Sequence, residues 1–305
     1  MNRRAITVVL AAVAACSLGG AVATAMAVER VRGEGLKEEE LFLPSGAVLK
    51  RLSLGYSGLL ADIYWTRAVQ YFGELHHEKA VHYGLLYPLL DITTQLDPHL
   101  TVAYDFGSIF LSQAPPEGAG EPEKAVELVR RGIRENPKEW RLYANLGYIQ
   151  ALELHDYRAA AQSFHDGSQI PGARPWMKVM AATTAEHGGE VQTARYLWSR
   201  LFETADDPML KQNAVKHLRA FQVDDDISRL EALVAEYKKR TGAEPASFGA
   251  LISMGWLSAA PRDPLGHPYR LAPDGHVYVQ SPAELPFITR GIPPGAEPAV
   301  VPKTF

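Results

Sequence analysis

Cysteine is almost absent. The 305-residue chain has one, Cys16, and it lies inside an N-terminal apolar run. Beyond that run there is no disulfide, no thiolate metal cluster and no cysteine nucleophile. A helical body of this size does not need disulfides even outside the cytosol. A dominant charge is lacking too: 31 Lys and Arg stand against 35 Asp and Glu, for a net charge of -4. No basic run interleaved with aromatics occurs, and a phosphate-backbone binder needs a cationic face. Nucleic acid is therefore not an expected partner. Alternating strand patterns are missing until near residue 268, and no Gly-rich phosphate loop follows a strand. No cofactor is expected.

Long hydrophobic runs are also scarce, with one exception. Arg3 and Arg4 precede an uncharged run of 24 residues, Ala5 to Val28. As a helix it would span about 36 Å, enough to cross a bilayer. Three readings stay open. One is a retained signal anchor. Another is a cleaved signal peptide, with small residues ending at Ala25 or Ala27. The third is a lipoprotein, because Val13-Ala14-Ala15-Cys16 resembles the lipobox of bacterial lipoproteins, although its first position is not the usual Leu. Each puts the soluble part on the periplasmic side of a bacterial inner membrane, with Arg3 and Arg4 held inside. The polar stretch "ERVRGEGLKEEE" then reads as a solvated linker, closing an N-terminal segment of residues 1–40.

Ten histidines raise the question of catalysis or metal. His76, His77 and His82 lie near Glu78, but neither a His-x3-His pair nor a Glu between such ligands is present. A polar loop between helices accounts for them. "GYSG" at Gly55–Gly58 lacks the spacing and the preceding strand of a serine-nucleophile elbow. Asp224–Asp226 reads as a helix N-terminus, where acidic groups meet a favourable dipole. No enzyme and no metal site are expected.

What the sequence does have is helical periodicity from about 57 to 240. Four segments close on a proline, at Pro98, Pro137, Pro171 and Pro208, with gaps of 39, 34 and 37 residues. Proline past a helix stops it, because it lacks an amide and disfavours helix in the residue before it. Small and large residues recur before these prolines: Ala125, Val129 and Gly132; Ala160, Phe164 and Gly167; Ala194, Trp198 and Leu201. Upstream, "YDFG" and "ANLG" set a glycine beside a large residue. Ala160 and Phe164 are expected to form one contact layer of a helix pair. Residues 41–72, with Tyr64, Trp65, Tyr71 and Phe72, either pack against the first pair or serve as a docking element.

"LYANLGYIQ", "HDYRAAAQSF" and the closing "IP" make the chain resemble the tetratricopeptide repeat family. A preceding unit carries "YDFGSIF" and "EPEKAVELVRRGIRENP", and a following one carries "GGEVQTARYLWSRLF". The resemblance covers about 99–208 and extends weakly to its flanks. It implies an all-α fold, a right-handed array of antiparallel helix pairs over 41–225, whose concave face holds a protein or peptide partner. Mapped onto this chain, the groove positions are Tyr104 and Ser108, then Arg141, Asn145 and Tyr148, then Thr183 and Glu186. The implied function is a non-enzymatic adaptor in the cell envelope.

Beyond it, "ISRLEALVAEYKKR", "TG-x-x-P", a short helix and "DP-x-G-x-P-Y" lead to "PYRL" and "HVYV" around Asp274-Gly275. The pair reads as a β-hairpin. This order, over 226–280, is similar to the C-terminal part of type II secretion pseudopilins, without their calcium-binding ending. It implies a small α+β module and, as an alternative function, a structural subunit of a secretion or pilus-like complex. Residues 281–305, rich in Pro and Gly, read as an irregular tail.

Overall fold

The computed structural model describes residues 43–296. The N-terminal apolar run, Cys16 and the polar stretch after it lie outside that range. Within it the chain is helical, with eleven α-helices and one short antiparallel hairpin near the C-terminus. The described residues divide into two compact units, one running up to Leu100 with Pro115–Ala119 added, the other made of Thr101–Ala114 and the residues from Gly120 onward.

The first unit contains α1 (Gly46–Leu52), α2 (Ser57–His77) and α3 (Leu86–Leu96). Ser45 caps α1 by accepting the Val48 amide at 3.4 Å. Both α1 and α2 pack on α3. Alanines at 61 and 68, both fully buried, allow α2 to come close, and Leu86, Leu90 and Leu96 of α3 are buried too. Tyr64 is buried, Tyr71 Oη accepts the Leu85 amide at 3.2 Å, and Phe72 stacks on His76 and Tyr83. Packing therefore occupies these three aromatics. The corner between α1 and α2 turns through left-handed backbone at Leu54 (φ 50°) and Gly55 (φ 93°).

The second unit begins with α4 (Thr101–Ser112), α5 (Pro122–Glu135), α6 (Trp140–Tyr148) and α7 (Tyr157–Ser168). It continues with α8 (Trp176–His187), α9 (Val191–Thr204) and α10 (Pro208–Thr241). Each helix packs chiefly on its neighbours in sequence. Pro137 and Pro171 follow helix ends as expected, whereas Pro208 is the first residue of α10. Proline suits that position because the first helical amide has no intrahelical acceptor to lose. Asp207 caps the same turn, accepting the Met209 amide at 2.8 Å.

Small residues set the close approaches. A Cβ built on Gly147 would sit 2.8 Å from the Phe164 ring, and one on Gly132 would sit 2.8 Å from the Tyr104 ring. Ala160 and Phe164 are both fully buried. Helix α6 ends in a π-helical segment, Ile149–Glu153, whose buried Gln150 reaches α7. Its amide lies 2.6 Å from Ser163 Oγ, with the NH2 donating to the carbonyls of Leu146 and Ala159 at 3.2 and 3.1 Å.

Asp224–Asp226 does not start a helix. It lies in the middle of the 34-residue α10, which runs unbroken across the expected boundary at 225/226. The acidic triplet is tolerated there because each carboxylate has a tertiary or i,i+3 partner. Asp225 pairs with Arg195 at 2.7 Å, and Asp226 pairs with Arg229 at 3.0 Å. Asp224 accepts from Thr289 N at 3.0 Å, Thr289 Oγ1 at 2.7 Å and Arg290 N at 3.0 Å. Upstream, Ala214 and Phe221 of α10 belong to the helical core; downstream, Ile227, Leu230 and Val234 belong to a second core.

That second core contains α11 (Phe248–Ser253) and the hairpin of β1 (Arg270–Leu271) and β2 (Val277–Tyr278), with Arg270 opposite Tyr278. Asp274-Gly275 makes the turn, with Gly275 at φ 88°. The described part of the Pro/Gly-rich segment, residues 282–296, is irregular apart from a 3-10 turn at Pro282–Glu284. It is nonetheless integral: Leu285 and Ile288 are buried, and Gly291 O accepts the Val279 amide at 2.8 Å. Replacing Asp224 with Ala is expected to cost about 2 kcal/mol, the usual range for hydrogen bonds to a charged acceptor. Amide exchange at Thr289 and Arg290 measures it, and protection unchanged from wild type contradicts the assignment.

Candidate binding surface

Helix α6 carries three of the seven mapped groove residues. Leu142 and Leu146 are buried, so Arg141, Asn145 and Tyr148, at i, i+4 and i+7, lie away from the most buried side. Arg141 is the most open of them. Its guanidinium lies 4.9 Å from the centre of the Trp140 ring and 3.2 Å from Glu139 Oε1. Glu139 also caps the helix by accepting the Arg141 amide at 3.3 Å. A small cavity of about 210 Å³ opens beside Arg141, lined by Thr101, Val102, Asp105, Glu139 and Leu142.

Tyr148 is half-buried. Its ring meets Phe164 edge-on at 5.1 Å and Trp176 at 6.1 Å. Burial pushes its phenol pKa above the usual value, so the hydroxyl stays protonated and able to donate. Trp176, the first residue of α8, lies 6.1 Å from Trp140 in an edge-to-face arrangement and is 37% exposed. Trp140, Arg141, Tyr148 and Trp176 thus form one partly exposed aromatic and cationic patch joining α6 to α8. Sequence reasoning misses the two tryptophans. Their one signal is position: each opens a helix, in "EWRLY" and "RPWMK".

The other mapped residues are placed differently. Tyr104 and Ser108 are fully buried, so neither presents a surface to a partner. The Tyr104 ring fills the space over Gly132, and Ser108 Oγ donates to Asp105 O at 2.9 Å. The expected groove wall on α4 is corrected accordingly: these two side chains turn into the helix contact. Asn145 is a clamp between helices, its Nδ2 donating to Asp105 Oδ1 at 2.7 Å and Asp105 O at 3.0 Å. Thr183 is half-buried on α8.

Glu186 is engaged internally. Its Oε2 accepts from Trp198 Nε1 at 3.1 Å and lies 2.8 Å from Nδ1 of the buried His217. The His217 imidazole is sandwiched, with Trp198 at 3.9 Å on one face and Phe287 at 3.7 Å on the other. Phe287 adopts φ 72°, an unusual conformation for an aromatic residue. Four elements, α8, α9, α10 and the C-terminal segment, meet in this stack.

His76 Nδ1 lies 2.9 Å from Pro116 O, while His77 and His82 are exposed. Among the described residues no three His, Cys, Asp or Glu side chains gather as a metal site. No described helix is long and apolar enough to cross a membrane. No protein-family model matches the chain, and no curated protein matches it in sequence.

Proposed function

We propose that this chain is a non-enzymatic adaptor, tethered in the bacterial envelope by its N-terminal run, that grips a partner polypeptide on the α6–α8 surface. The observation that carries this reading is the patch of Trp140, Arg141, Tyr148 and Trp176. Tryptophan, tyrosine and arginine dominate the energetics of protein interfaces: the two aromatics bury large area with little loss of side-chain entropy, and the guanidinium adds directional donors. The packing of each helix on its sequence neighbours supports it too, since a succession of helix pairs offers an extended face. The cavity beside Arg141 suits a small polar side chain of the partner, because Asp105 and Glu139 line it together with the guanidinium.

The test is a photo-reactive phenylalanine analogue placed at Trp176 in intact cells, with Gln212 as an exposed control on α10. A discrete adduct is expected from position 176 and not from 212. Arg141→Ala with Tyr148→Ala should weaken capture by about 30-fold, the equivalent of about 2 kcal/mol at an interface hot spot. The same adducts from both positions, or capture indifferent to the double substitution, would remove this surface from consideration.

A further inference from the structure

The corner between α1 and α2 is unusually apolar for a surface. Six of the seventeen exposed large apolar side chains among the described residues fall within residues 48–63: Val48, Leu52, Leu54, Tyr56, Leu59 and Ile63. Leu52, Leu54 and Tyr56 are 69%, 87% and 70% exposed. Packing does not account for them, because α1 and α2 bury other positions against α3, namely Gly46, Ala61, Tyr64 and Ala68. The left-handed backbone at Leu54 and Gly55 holds the most exposed of these side chains at the turn itself.

Charge and chain position indicate what covers this corner. Between Gly46 and Arg67 the basic residues are Lys50, Arg51 and Arg67, and the acidic one is Asp62, in a chain whose net charge is -4. Arg67 lies about three turns up α2, so the corner itself carries Lys50 and Arg51 against Asp62, a small positive excess at the α1 end of an acidic protein. Upstream, 14 residues (29–42) separate Val28, the end of the 24-residue apolar run, from the first described residue. Fully extended they reach at most about 50 Å, so a chain anchored by that run keeps the corner near the bilayer. Such confinement raises the effective concentration enough for a weak surface affinity to matter.

We infer that the corner of α1 and α2 lies in the headgroup region of an anionic bilayer, with Leu52, Leu54, Tyr56 and Leu59 inserted and Lys50 and Arg51 toward the lipid phosphates. Aliphatic side chains with a tyrosine and flanking cations are the composition of interfacial segments. The inference rests on the envelope-tethered reading.

The test uses the full chain with Cys16→Ser and a single environment-sensitive fluorophore on Leu54→Cys, reconstituted in phosphatidylcholine–phosphatidylglycerol vesicles. Gln212→Cys is the control. Leu54 is so exposed that its replacement leaves the core intact. The expected result is a blue-shifted emission at 54 and quenching by lipid-borne nitroxide several-fold stronger than at 212, both reduced when phosphatidylglycerol is omitted. A chain that floats with the vesicles while its probe at 54 reports water overturns the inference and leaves the tether standing. A blue shift without lipid quenching overturns it as well, by showing that the upstream linker or a second copy covers the corner. Failure to float removes the tether by the apolar run itself, and the inference with it.

Discussion

Trp198→Ala is expected to lower the free energy of unfolding by about 4 kcal/mol, the middle of the range for a large aromatic removed from a core. The indole is fully buried in the helical core, so its loss leaves a cavity that the surrounding helices fill only in part. It also removes the donor 3.1 Å from Glu186 Oε2 and one of the two faces that clasp His217. The other face belongs to Phe287, whose left-handed backbone is maintained by the packing around it. The segment carrying Phe287 should therefore loosen together with the core. Urea unfolding gives the main effect, and limited proteolysis near residue 287 gives the second. Trp198→Phe keeps an aromatic face against His217 without the donor, and should recover roughly half of the loss. A midpoint shift for Trp198→Ala equivalent to less than about 1 kcal/mol, near the average for any substitution, would show that this stack does not hold the elements together.

Gly147→Val should cost about 3 kcal/mol, and for the opposite reason. Valine is the better helix former by about 0.5 kcal/mol, so an exposed position would gain. Here the first added carbon would lie 2.8 Å from ring atoms of Phe164, which has no exposed surface and cannot swing away. Overpacking of this kind forces a rotamer or backbone shift. Phe164→Leu in the same chain should restore part of the loss, although Phe164→Leu alone destabilises. Denaturation of the two single variants and the double variant measures that coupling. Strict additivity would mean that glycine and ring do not share the contact.

Much of this layer is legible in the sequence, because glycine or alanine opposite a large residue at helical spacing marks a place where two helices come close. The exit prolines Pro137 and Pro171 are legible through their chemistry, since a residue without an amide ends a helix. Pro208 is not, because a proline in the gap between two helices fits the end of one and the start of the next equally well. Asp224–Asp226 misleads because an acidic triplet favours a helix N-terminus unless distant partners neutralise it, and Arg195 and Thr289 lie 30 and 65 residues along the chain from the carboxylates they meet. Tyr104 and Ser108 read as surface by the groove positions that the family resemblance implies. Which way a tyrosine turns depends on the space beside it, and the space over Gly132 belongs to another helix. Trp140 and Trp176 escape because helix-opening aromatics are ordinary core residues unless something shows them meeting at an open edge.

Helix α10 has a consequence for how the C-terminal half behaves. Its 34 residues make a rod of about 51 Å. One end is gripped by Phe221 and Ala214 in the helical core, the other by Ile227 and Val234 beneath the hairpin. With no joint between them, the two cores share an axle: twist or tension applied at the hairpin travels to the helices, and neither part can melt without stripping cover from the other.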